Sequence, residues 1–470
     1  MSELTPLPAP LVRALAQRFG DRFDRDPGRC WPYGGDNSRL HSAPAAVVFV
    51  RDHDEVVALV QLCNRYRVPF VGRGHGTGTA GAAVAPLGGV VIAFEQMDRI
   101  IRVDGDNRLL ITEPAATNQA VQQAAAAAGF FWPCDPTSAA ICTVGGNLAC
   151  NAAGPLAVKY GTPRENVLGL RAVTGDGRAL RTGSYTTKGV VGYDLTRLLI
   201  GSEGTLALIT EATLKLTPLP EARRMLRASY RDMGAAARAV ARLMAQPITP
   251  CTLEFMDSGA LQMIRDYSQA QLPTDAGAML LLEVDGAAAS LDAAVATVSA
   301  VAQGGVGDGC LELLEARDPE QVQQLWATRK ALSPALRTVA PKKINEDVVV
   351  PVSHIPTLID AIAQLAQRHA ITIVNFGHAG NGNIHVNLLI DPDDPAQLAR
   401  AQACLDALFD QVLALQGSIS GEHGIGVVKR PFVSRELDPV ALSLMHAIRQ
   451  QFDPLNLLNP GKKLPSIDAV

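Results

Sequence analysis

The chain has 470 residues, 47% hydrophobic and 19% charged. That is enough apolar material for more than one core, and at about 150 residues per domain it suggests two or three domains. Lys plus Arg is 42 and Asp plus Glu is 46, a formal net charge of −4, which lacks the basic surplus of a protein that neutralises nucleic-acid phosphates. The opening MSELTPLPAP has no basic segment followed by an apolar one, which argues against secretion. Uncharged stretches are too diluted by Ala, Gly, Gln and Ser for a transmembrane segment. The expectation is a cytoplasmic protein, with attachment to the inner face of a membrane left open. The eight cysteines are scattered and none forms Cys-x-x-Cys, so no iron–sulfur cluster is indicated.

In chain order, AAVVFV reads as a buried strand, DEVVALVQLCNRY as an amphipathic helix, and VPFVGRG as a strand running into glycines. LLITEP, LGLRAV and GTLALITEATLKL continue as strands between glycine-rich turns. The texture changes near Pro218-Leu219-Pro220. Beyond it, Ala-rich helices (MGAAARAVARLMAQ, SLDAAVATVSAVAQ, IPTLIDAIAQLAQRH) interleave with the strands AMLLLEVDG, EDVVVPV and ITIVNFG, the pattern of an α+β layer. The expected division is 1–220, then 221–430, then a turn-rich segment 431–470 that returns to the first domain.

The first chemistry lies in VPFVGRGHGTGTAG. Glycines at 72, 74, 76, 78 and 81 let backbone N–H groups converge on an anion, and Arg73 adds positive charge, as in a loop that cradles a pyrophosphate. Gly76, Gly78 and Gly81 match the G-x-G-x-x-G spacing, but Pro86, Gly88 and Gly89 follow and leave no room for the crossover helix of a Rossmann unit. PCDPTSAAICTVGGNLACNAAGPLAVKYG and GYDLTRLLIGSEGTLALITE repeat the style with further Gly, Ser, Thr and Asn residues. Together they read as the lining for a polar cofactor.

This set of motifs resembles the FAD-binding domain of the vanillyl-alcohol oxidase and p-cresol methylhydroxylase superfamily, within the branch of D-lactate dehydrogenases, D-2-hydroxyglutarate dehydrogenases and the glycolate oxidase flavin subunit. The resemblance runs from Tyr33 to Lys462. It implies a two-subdomain FAD-binding domain followed by an α+β substrate (cap) domain with an antiparallel sheet and flanking helices. It also implies that Arg73, Gly74, His75, Gly76, Thr77, Gly78, Thr79 and Gly81 hold the pyrophosphate. Pro136, Ser138, Thr143, Gly145, Gly146, Asn147 and Asn151 line the flavin and ribityl chain. Gly204, Thr205 and Ile209 follow the path from adenine to flavin, and Asn459 approaches the isoalloxazine. His75 stands where relatives usually have Gly. Members with a covalent histidyl flavin carry that His about two residues later, at Thr77 here, so the expected FAD is non-covalent.

The second domain carries two glycine-flanked histidine motifs. GHAGNGNIHVN contains His378 and His385, and SGEHGIG contains Glu422 beside His423. Two imidazoles and a carboxylate suit Zn, Mn or Fe as a divalent metal. On an extended segment Glu422 and His423 point to opposite sides, so one can bind metal while the other serves as base, and period-two counting puts His385 and Asn387 on one face. LWATRKALSPAL reads as a helix with Arg329 and Ser333 on one face, and KKINEDVVVPV as a strand with Lys343, Asn345 and Asp347 together. In the family a matching Arg on this helix grips the substrate carboxylate. Asn381 stands where relatives often have Asp.

The resulting expectation is oxidation of a small 2-hydroxy acid of D configuration, D-lactate favoured, to the 2-oxo acid. Hydride passes to flavin N5, His423 is the base, and Arg329, Lys343, Ser333 and Asn387 serve the substrate. The alternatives are a flavin subunit of a glycolate oxidase complex, a D-2-hydroxyglutarate dehydrogenase, and a flavin-binding subunit without catalysis. The reaction requires an external electron acceptor (quinone, cytochrome or electron-transfer protein), and the chain is expected as a homodimer or part of a multi-subunit complex.

Overall fold

In the computed structural model, which describes residues 6–267 and 272–466, the first apolar run forms the strand Ala46–Phe49. Asp52 caps the following helix, His53–Tyr66, by accepting the Glu55 N–H. That helix buries Val56, Leu59, Val60 and Cys63, the spacing of a single helical face. Its partner strands are Val90–Ala93 and Phe70–Arg73, parallel to the first in the order Ala46–Phe49, Val90–Ala93, Phe70–Arg73. Turns and bends alone join Arg73 to Val90, so the glycine spacing there is not a Rossmann fingerprint.

A five-stranded antiparallel sheet follows, ordered Ile100–Asp104, Leu109–Thr112, Ala207–Lys215, Val167–Thr174, Ala179–Gly183. The C-terminal tail joins the parallel sheet. The Phe70 N–H donates to Leu457 O and the Asn459 N–H to Phe70 O, at 2.9 and 2.8 Å. The buried Asp453 carboxylate shapes that turn by accepting the N–H groups of Leu457 and Leu458.

The chain divides into two units. The first is Met1–Gly154, Gly161–Leu219 and Glu422–Val470; the second is Pro155–Tyr160 and Pro220–Gly421. The division read from sequence at 220 and 430 differs from this by residues 155–160, residue 220 and residues 422–430. The segment 155–160, which ends in the one-turn helix Ala157–Tyr160, is too short to show an apolar stripe. It is tied by polar groups, with the Lys159 ammonium and the Tyr160 hydroxyl on the buried Asp285 carboxylate.

The second unit is built on a seven-stranded antiparallel sheet. Its order is Cys310–Glu315, Ala222–Tyr230, Ala278–Gly286, Thr252–Asp257, Thr372–His378, Asn383–Ile390, Lys342–Val349. One face buries Met225, Met256, Met279, Leu281, Val374, Phe376 and Leu389 against the helices Ser258–Tyr267 and Pro319–Val339. On the opposite face Tyr230 donates its hydroxyl to Ala302 O of the helix Ala288–Gln303.

Candidate functional site

In the first unit, the glycine loop and the second polar loop are fitted to one another. Thr143 caps the helix Val144–Cys150 by accepting the Gly146 N–H, and a Cβ on Gly74 would overlap its hydroxyl. Gly76 has φ +67°, and a Cβ there would overlap the Arg73 guanidinium. Arg73 is buried and donates to Gly35 O and Pro32 O at 2.6 and 3.2 Å, so its side chain braces the start of the loop. His75 is exposed and its Nδ1 contacts Ile141 O at 2.7 Å. Gly145 packs against Pro114, with its N–H on Pro114 O. Asn151, at φ 59°, ends the helix Val144–Cys150, and its Oδ1 accepts the Arg164 N–H.

Several of the expected cofactor residues have side chains committed within this unit. Thr205 donates its hydroxyl to Ser202 O, Ile209 lies in the sheet core, and the Asn459 amide donates to Glu203 O at 2.5 Å. The buried Asn147 amide nitrogen, by contrast, has no hydrogen-bond partner among the described residues. A buried donor of this kind, in the helix Val144–Cys150 whose cap Thr143 packs on the glycine loop at Gly74, fits a polar dinucleotide. Thr77, Gly78, Thr79 and Gly81 lie in the irregular loop itself, and Pro136 and Ser138 in the turn before Thr143.

Two charged residues with no role in the motifs above stand out here. Lys462 is fully buried and donates to Ala82 O and Asn459 Oδ1. Burial pushes its ammonium down to about 7, against the opposing pull of Asp36 and Glu203. Glu203, buried at φ 55°, accepts the N–H groups of Ile425 and Gly426 at 2.7 and 2.6 Å and takes the Lys463 ammonium at 3.2 Å. It thereby fixes the segment that carries Glu422 and His423. That segment is a series of bends, so the strand alternation considered for Glu422 and His423 does not apply. The Glu422 carboxylate accepts the Gly154 N–H at 3.0 Å.

In the second unit the sheet register lines up the expected residues. His385 lies opposite Asp347 on one neighbouring strand and opposite Phe376 on the other, while His378 lies opposite Glu254. Cross-strand partners share a face, so Glu254, Phe376, His378, His385, Asn387, Lys343, Asn345 and Asp347 all belong to the face covered by Pro319–Val339. The imidazoles of His378 and His385 meet edge to face, with centroids 5.2 Å apart.

Arg329 comes from the covering helix. Its guanidinium lies 4.7 Å from the Phe376 ring centroid, and its Nε donates to Glu254 Oε2 at 2.8 Å. The other oxygen of Glu254 pairs with His378 Nδ1 at 2.5 Å. Burial pushes the Glu254 carboxyl up, but His378 and Arg329 outweigh this and hold it below the ordinary value. Asn387 is buried and donates to Val374 O and His385 O. Lys343 lies opposite Leu389 on the edge strand. Ser333 is one turn beyond Arg329 in the helix, and its side chain lies outside the described residues. The Gly421 N–H donates to Asp347 Oδ2 at 2.9 Å, and Glu422 is the next residue in the chain.

Residues 44–183 match the FAD binding domain, and residues 219–463 match the C-terminal domain of FAD linked oxidases. The chain belongs to the FAD-linked oxidase family. Among its relatives is the "Glycolate oxidase subunit GlcD" of Bacillus subtilis, 38% identical over 90% of this chain and 90% of that one. Another is the "Probable D-lactate dehydrogenase, mitochondrial" of Danio rerio, 34% identical over 90% of this chain and 84% of the other. The solved structure of p-cresol methylhydroxylase with substrate bound superposes with a TM-score of 0.78 over 98% of both chains at 16% identity, a likeness of fold. The oxidase thus has the expected α+β architecture of the vanillyl-alcohol oxidase type, with a flavin domain followed by an antiparallel-sheet domain.

Proposed function

We propose that the protein oxidises a small D-2-hydroxy acid of lactate or glycolate size to the 2-oxo acid. The observation that carries this reading is the row Arg329–Glu254–His378–His385, formed by one sheet face and the helix that covers it. A planar cation for a carboxylate stands there beside two imidazoles. The relatives named for glycolate and D-lactate support the substrate class.

In this reading Arg329, helped by Lys343, fixes the carboxylate, and Asn387, whose buried Oδ1 has no hydrogen-bond partner among the described residues, would accept from the substrate hydroxyl. His423 takes the hydroxyl proton. His378, His385 and Glu422 would be the metal donors in this reading, two imidazoles and a carboxylate of the kind that suits Zn, Mn or Fe, and such a metal would lower the pKa of the substrate hydroxyl. FAD, held without a covalent bond, would accept the hydride from Cα. The oxidation removes two electrons, so an external acceptor (a quinone, a cytochrome or an electron-transfer protein) must reoxidise the flavin. Among the described residues no helix is long and apolar enough to cross a membrane. The subunit name of the Bacillus subtilis relative favours a second form of the same reading, a flavin subunit that delivers electrons to partner subunits.

Dye-linked turnover with glycolate, D-lactate and D-2-hydroxyglutarate tests this directly. The expected result is turnover of the two smaller acids by the purified chain. Preference for the five-carbon diacid would contradict the size assignment, and absence of turnover with all three would contradict the reading.

A further inference from the structure

The carboxylate of Glu254 is 1% exposed, in a strand, Thr252–Asp257, where every residue is buried. A carboxylate in such a place is costly unless both oxygens are engaged. Here they are, and by two different kinds of group. Oε2 receives the Arg329 Nε–H at 2.8 Å, and Oε1 faces His378 Nδ1 at 2.5 Å.

The consequence for each partner is specific. An imidazole whose Nδ1 is held by a carboxylate is fixed in ring orientation and made more basic at Nε2, the arrangement that tunes a histidine for coordination. A guanidinium held through Nε is fixed in its plane, and its two terminal nitrogens are the pair that meets a carboxylate with parallel bonds. The Phe376 ring beneath the guanidinium restricts that plane further.

We propose that Glu254 is a positioning residue that locks the metal-ligand imidazole of His378 and the acid-gripping guanidinium of Arg329 into one rigid unit. It touches neither substrate nor flavin. It sets the angle between the two sites that must receive one hydroxy acid at once. The inference rests on the function proposed above, and its test separates the two.

The flavin-loaded protein is stripped of metal and titrated with Zn²⁺ and with Mn²⁺ against a chromophoric chelator, without substrate, as wild type, Glu254→Gln and Glu254→Asp. Glu254→Gln keeps the shape and removes the charge. It should bind metal about 10- to 100-fold more weakly, the usual effect of losing such a partner, while flavin content stays at wild type. KM for the acid should rise about tenfold. Glu254→Asp keeps the charge on a shorter arm and should recover part of the metal affinity; it carries the measurement if the Gln variant does not fold. Equal metal affinity in wild type and both variants overturns the role of Glu254. So does a fall in thermal midpoint with no change in metal affinity, since that marks a purely structural ion pair. A wild type that takes up neither metal overturns the metal reading itself.

Discussion

Replacing His423 with alanine is expected to leave a yellow, folded protein whose turnover falls by about 10²- to 10⁴-fold, the range for loss of a general base. The protein should remain folded because the segment around His423 is held through its backbone. Glu203 secures it through the backbone N–H groups of Ile425 and Gly426, and Gly424 and Gly426 adopt positive φ without strain. Flavin retention should also persist, since the glycine loop, Thr143 and the Phe70-to-Asn459 ladder are untouched. The decisive comparison is kcat measured beside flavin absorbance and thermal midpoint. Wild-type kcat in the variant would remove His423 from the chemistry. Loss of colour together with activity would show a structural role.

Exhaustive chelation is expected to abolish turnover while the flavin spectrum persists, with activity returning on addition of Zn²⁺, Mn²⁺ or Fe²⁺. The ground is the pair of histidines in the second unit. Two buried imidazoles sit edge to face at 5.2 Å, and one is steered through Nδ1 by a carboxylate. The chain leaves that unit at Gly421, anchored on Asp347, one residue before Glu422. Two neutral imidazoles and a carboxylate form the type of set that borderline divalent metals prefer. The effect should exceed that of any single substitution, because metal removal deprives the hydroxyl of its activating charge altogether. Full activity in protein shown to be metal-free by elemental measurement would remove the metal from the scheme.

Much of the architecture is legible in the residues. The helix His53–Tyr66 follows from its Asp52 cap and apolar stripe, and the strand Lys342–Val349 from its alternation. The rejection of a Rossmann unit follows from Pro86, Gly88 and Gly89. His378 and His385 are visible because glycines flank them.

Glu254 is not so visible. It is one of two acids in TLEFMD, and its partners are 75 and 124 residues away, so only the sheet register and the packing of the covering helix bring them together. A usable signal was present: an acid on the face that Met256 shares, in a strand otherwise reading as core. Glu203 and Lys462 were hidden for the same reason. Each looks like an ordinary charge beside a glycine until its long-range partners are known. The segment 155–160 belongs to the second unit through Asp285, a polar attachment with no periodicity to read. The bends at 421–423 defeated the strand argument because Gly421, Gly424 and Gly426 break the extended run.

A small acidic alcohol should reduce this protein's flavin. Anaerobic titration of the flavin absorbance with the D and L enantiomers of lactate, and with glycolate, tests it most directly. The account predicts rapid bleaching by D-lactate and glycolate and none by L-lactate at the same concentration. A flavin that stays oxidised with every acid, or bleaches equally with both enantiomers, would contradict it.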